Sequence, residues 1–105
     1  MNDTQFFEAA RVLAEQAYWA ASDGNGRIDF LSRRLLSRFL DDKEREIAVR
    51  AYQDYLRYYD ANPRDARKLL GTGEAPQNPR ANAVETAALA MLANQMFNLD
   101  EVLTK

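Results

Sequence analysis

The chain reads as an all-α protein, a compact bundle of about five helices with an apolar C-terminal helix at its centre, and three observations carry that reading. Apolar residues recur at spacings of three and four along most of the chain, and no segment shows the period-two alternation or Val/Ile/Thr enrichment of strands. Helix-start signals stand at Asp41–Glu44, Asn62–Pro63 and Asn82–Glu85. The segment from Val84 to Phe97 is apolar almost all round, as befits a helix enclosed by others.

The first helix is expected over 5–21, capped by Asp3 or Thr4, with Phe6, Ala10, Leu13, Ala17 and Ala20 on one stripe and Phe7, Ala14, Tyr18 and Ala21 beside it. Gly24 and Gly26 then stop it. A second helix over 27–40 puts Ile28, Leu31, Leu35 and Phe39 on its buried face and turns Arg33, Arg34 and Arg38 away from it; the short connection predicts a helical hairpin with the first. "DDKE" forms a capping box, Asp41 with Glu44, that opens a third helix over 42–59. Asn62 as N-cap and Pro63 at the first helical position open a short fourth helix over 63–70, ended by Gly71 and Gly73. "GTGEAPQNPRAN" is the one long loop, and a second capping box, Asn82 with Glu85, opens the fifth helix over 83–97. The 105 residues, 47 % of them hydrophobic, suit one domain spanning 1–105.

Composition removes several chemistries. Without cysteine there is no disulfide framework, thiolate zinc site, iron–sulfur cluster or covalent haem attachment, and without histidine the commonest general base and transition-metal ligand are missing. With 14 basic and 16 acidic residues the formal charge is −2, so no strong field attracts phosphate backbones, and nucleic acid is not an expected partner. The apolar run Ala87 to Ala93 is far shorter than the roughly 20 residues that cross a bilayer, so no membrane insertion is expected. Met1 to Gln5 lacks a basic n-region, so no signal peptide is expected in this chain, which suits a small protein or a domain of a longer one equally.

The stretch "DGNGRIDF", 23 to 30, carries part of a calcium loop. With Gly26 at position 6 of an EF-hand loop, Asp23, Asn25 and Asp29 occupy positions 3, 5 and 9 and Ile28 the apolar position 8. The ends fail: position 1 is Ala21 and position 12, which needs a bidentate glutamate, is Ser32. The expectation is therefore a tight turn in which Gly24, Asn25 and Gly26 supply left-handed backbone, with no ion held. In "AYQDYLRYYD", Tyr52, Tyr55 and Tyr59 share a stripe with Ala48 and Leu56 and are expected to be buried, leaving Tyr58 exposed as a candidate contact for a glycan or a partner. Arg33, Arg34 and Arg38 form a basic cluster that Asp41, Asp42, Glu44 and Glu46 are expected to neutralise, with phosphate binding or another ligand or partner face as the functional alternative. Asp41 and Asp42 do not face each other as a catalytic pair, and capping explains them. Asn94 interrupts the apolar fifth helix; if buried, it is expected to fix the tail "NLDE" through backbone hydrogen bonds. No nucleophile, base and oxyanion site come together, so neither catalysis nor a cofactor is expected.

"ANQMFNLDEVLTK", 93–105, and "NPRDARKLLGTGEAP", 62–76, are the most specific parts of a longer match. With "FFEAARVLAEQAYWAASDG" and "RIDFLSRRLLSRF" they span nearly the whole chain, which resembles the C-terminal part of the planctomycete-specific PSD-type domain of unknown function. That family closes large exported proteins that often carry a cytochrome c domain near their start. The resemblance implies a helical part of an exported periplasmic or cell-surface protein, and it implies no catalytic residue. Leu89 stands where the family commonly has an aromatic residue, and the companion domain's haem motif is absent, so no haem is assigned. The resulting expectation is a non-catalytic structural or interaction module whose partner is a neighbouring domain or another protein, with its oligomeric state open. The alternative is a ligand-binding module, taking calcium at 23–29 or a glycan on the tyrosine helix; a carboxylate-based hydrolase is a third and least supported class.

Overall fold

The computed structural model describes the backbone over residues 4–71 and 81–103 and the side chains over 7–71 and 81–97. The expected cap Asp3, most of the expected loop (72–80, with Gly73) and the side chains of the tail 98–101 lie outside the described residues. Five helices follow in chain order: α1 Thr4–Ala20, α2 Gly24–Leu36, α3 Asp42–Ala61, α4 Pro63–Leu70 and α5 Ala83–Leu103. The described residues contain no strand, and the all-α bundle is the fold.

The fifth helix is the centre of that bundle and touches each of the other four. Ala87, Ala88, Leu89, Ala90, Leu92, Ala93 and Met96 are all buried. Its most extensive partner is α1, which presents Ala10, Ala14 and Ala17. Leu31 of α2, Tyr59 of α3 and Leu70 of α4 belong to the same buried core. The radius of gyration, 12.7 Å, matches the roughly 13 Å of a compact chain of this size.

Helix starts follow local chemistry closely. At α3 the Asp41 carboxylate accepts from the Glu44 N–H at 2.8 Å and the Glu44 carboxylate accepts from the Asp41 N–H at 3.0 Å, so the expected capping box is complete. At α5 only half of the expected box forms. Asn82 Oδ1 accepts from the Glu85 N–H at 3.0 Å, but the Glu85 carboxylate turns to Arg27 instead. Asn62 makes no side-chain cap to α4; its Nδ2 donates to the Tyr58 carbonyl at 2.9 Å and closes the end of α3.

Boundaries and faces depart from expectation at four places. Gly24, Asn25 and Gly26 are the first turn of α2 and not a left-handed turn, because Asp23 is a working N-cap that accepts from the Gly26 N–H at 2.9 Å. What this start demands of Gly26 is space: a Cβ there would lie 2.7 Å from both Ala21 Cβ and Asp23 Oδ1. The other end of α2 comes early, at Leu36. Ser37 takes a left-handed conformation with φ 58° and donates its N–H to the Arg33 carbonyl. That reversal carries Phe39 off the predicted buried face to 56 % exposure and turns Leu40 into the core instead. Ala20, expected on the buried stripe of α1, is exposed. Finally α3 runs on to Ala61 and α5 to Leu103, since neither Gly nor Pro interrupts them.

Candidate functional site

The basic cluster of α2 separates into two unlike parts. Arg38, just past the helix, grips Glu44 with both terminal nitrogens at 2.8 and 2.9 Å, and its guanidinium, with the Asp41 N–H, lowers the Glu44 carboxyl to about 2. Local neutralisation holds for this residue. Arg33 and Arg34 meet aromatic rings instead: the Arg33 guanidinium carbon lies 5.3 Å from the Phe39 ring centroid and that of Arg34 4.9 Å from the Phe30 centroid. Neither forms an ion pair among the described residues.

These two stacked pairs bound an open groove of about 520 Å³, lined by Ala20, Gly26, Asp29, Phe30, Arg33, Arg34 and Phe39. Trp19, the neighbour of Ala20, is 57 % exposed and stands edge-on to Tyr18 at 4.9 Å. The groove's own carboxylate, Asp29, pairs with Arg45 of α3. A guanidinium lying on a ring keeps its N–H edge open, so the groove can receive an anionic group between apolar walls.

The three calcium candidates are differently placed. Asp23 caps α2, Asp29 is held by Arg45, and Asn25 is exposed in the first helical turn. Among the described residues no three acidic, histidine or cysteine side chains come together to hold a metal ion. On α3, Tyr52 and Tyr59 are buried as expected, and the half-buried Tyr55 donates to Gln95 Oε1 of α5 at 2.9 Å. Tyr58 is half exposed and edge-on to Tyr59, and it donates to Asp65 Oδ2 at 2.6 Å; that bond raises its phenol above the ordinary value. It lines a shallow groove with Tyr59, Asp65, Lys68 and Leu69, apart from the arginines, so the fold does not unite Tyr58 with Arg33 and Arg34.

Arg27 and Asn94 are among the residues that bring polar atoms into the interior. Arg27 is 7 % exposed; its Nε donates to the Ala21 carbonyl at 3.0 Å, its Nη1 meets Glu85 Oε2 at 3.2 Å and its guanidinium carbon lies 4.3 Å from the Tyr18 ring centroid. Burial pushes the Tyr52 phenol up, and the adjacent Arg27 partly offsets this. Asn94 has a buried Oδ1 that accepts no hydrogen bond among the described residues.

Arg27 and the outward side of Phe39 were not identifiable as site residues from periodicity, which puts Phe39 on the buried face of α2. Among the described residues no helix is long and apolar enough to cross a membrane. Comparison of the chain with known family models, with curated proteins and with solved structures finds no match.

Proposed function

We propose that this chain is a non-catalytic interaction module that works by docking, through the α2 groove, onto a neighbouring domain or another protein. The observation that carries the proposal is the grouping, around one groove, of Phe30 and the more than half exposed Phe39 with two arginines that lack carboxylate partners among the described residues. Aromatic residues and arginine are the side chains most enriched at protein interfaces. Its place at the C-terminal end of a large exported, surface or periplasmic protein rests on the resemblance of 62–76 and 93–105 to the planctomycete PSD-type domain. Calcium binding at 23–29 has weaker support, because Asp23 and Asp29 are already engaged.

Site-specific photo-crosslinking tests the docking. A photoreactive phenylalanine analogue placed at Phe39 in the protein expressed in its native cells should cross-link to polypeptide, whereas the same group at exposed Gln53 on α3 should not. Equal or absent cross-linking at the two sites would overturn the proposal. So would a rise in melting temperature with millimolar calcium or a positive glycan array.

A further inference from the structure

Resting on that docking reading, we propose that the α2 groove recognises an acidic peptide segment, with Arg33 and Arg34 receiving its carboxylates and the Phe30 and Phe39 rings its apolar side chains. Charge complementarity selects this occupant. Arg27, Arg38, Arg45, Arg50 and Arg57 each meet a carboxylate of the chain; the exposed Arg33, Arg34, Arg64 and Arg67 meet none among the described residues, and of these Arg33 and Arg34 lie over aromatic rings at one groove. Stacking restricts the long arginine stems before any partner arrives, so less freedom is lost when the forks close on carboxylates. Asp29 would repel an acidic partner if its charge were unmatched, and Arg45 matches it.

The same features weigh against other anions. A nucleic acid backbone needs an extended basic track, while this chain has a net charge of −2 and the groove offers two cations. Phe39, 56 % exposed at the groove wall, gives a peptide's apolar side chain a surface that a phosphate does not use. The groove therefore suits a segment in which acidic and apolar residues alternate.

The test uses the full chain and a fluorescein-labelled short peptide alternating glutamate and phenylalanine, read by anisotropy. Controls are a lysine–phenylalanine peptide, a glutamate–serine peptide and phosphatidylglycerol vesicles. The glutamate–phenylalanine peptide should bind best, and more weakly as salt rises. The Arg33→Glu/Arg34→Glu double variant should weaken it by about tenfold or more and reverse the preference toward the lysine peptide. Both arginines are exposed, so the melting temperature serves as the control for folding. Several results would overturn the proposal: no binding, equal binding of the lysine peptide, an unchanged Kd in the double variant, or tighter binding to vesicles. Self-association abolished by the double variant would also overturn it, naming a second copy as the occupant. If the peptide fails while Phe39 still cross-links, docking stands and only the acidic chemistry falls; if both fail, the docking reading falls with it.

Discussion

Replacing Arg27 by methionine keeps an unbranched apolar stem and removes the guanidinium that joins three helices. Its Nε bond to the Ala21 carbonyl holds the α1–α2 connection at 3.0 Å, and a hydrogen bond to a charged group contributes about 1.5–3 kcal/mol. The stack on Tyr18 at 4.3 Å, shielded from water because Arg27 is 7 % exposed, adds about 1–2 kcal/mol. The pair with Glu85 adds under about 1 kcal/mol, since the Glu85 side chain is 38 % exposed and regains water when released. Against these, methionine avoids the desolvation of a buried cation, which offsets part of the sum. The net expectation for Arg27→Met is a loss of about 3 kcal/mol, or a fall in Tm of about 12 °C or more for a domain this small. Urea and thermal unfolding followed by circular dichroism measure it. Arg27→Lys retains the charge but not the planar stack or the Nε bond and should recover less than half of the loss. Glu85→Gln should cost less than about 1 kcal/mol. An Arg27→Met protein within about 1 kcal/mol of the parent, or a Glu85→Gln effect as large as that of Arg27→Met, would refute the reasoning that the Arg27 guanidinium joins the three helices.

Four further outcomes are expected. Gly26→Ala should destabilise by about 1–3 kcal/mol in urea unfolding, because the new methyl would sit 2.7 Å from Ala21 Cβ; an unchanged midpoint would mean that α2 begins elsewhere. Ser37→Gly should stabilise by about 0.5 kcal/mol, since relief of the left-handed backbone at φ 58° slightly exceeds the added freedom of the unfolded chain; a loss of stability would contradict it. Leu89→Ala, at a wholly buried site on α5, should cost about 2–5 kcal/mol by the same measurement. Glu44 has its carboxyl lowered from 4.5 to about 2, so the unfolded chain takes up the proton first and the stability from this group is full above pH 4.5 and lost as pH falls toward 2. Glu44→Gln should therefore cost about 1 kcal/mol at neutral pH, and its stability curve should meet that of the parent near pH 2; a constant gap across that window would exclude the ion pair as its cause.

Local features of the chain were legible where their cause is local. The Asp41–Glu44 box, Pro63 at the head of α4, buried Tyr52 and Tyr59, and exposed Tyr58 all follow from residues within one or two turns of each other. The candidate groove was half legible: Arg33 and Arg34 stand out in "SRRLLSR", but Phe39 reads as core while the helix is taken to run to Leu40. One left-handed residue, Ser37, ends α2 early, and serine is not the usual residue for that role, so no sequence rule announces it.

By itself, then, the sequence determined an all-α chain whose last helix must be enclosed, because Val84 to Phe97 leaves no polar face wide enough to meet water. It also excluded cysteine and histidine chemistry outright. The tertiary structure alone decided which charges are matched. Glu85 abandons the expected capping box for Arg27, Asp29 goes to Arg45, Tyr55 reaches Gln95, and Arg33 and Arg34 are left on rings. The first three pairings join residues 16 to 58 positions apart and that of Arg33 with Phe39 depends on where α2 stops, whereas Arg34 with Phe30 is a local pair four residues apart on one helix. Helical periodicity tells which face of a helix is buried and is silent on which neighbouring helix lies against it.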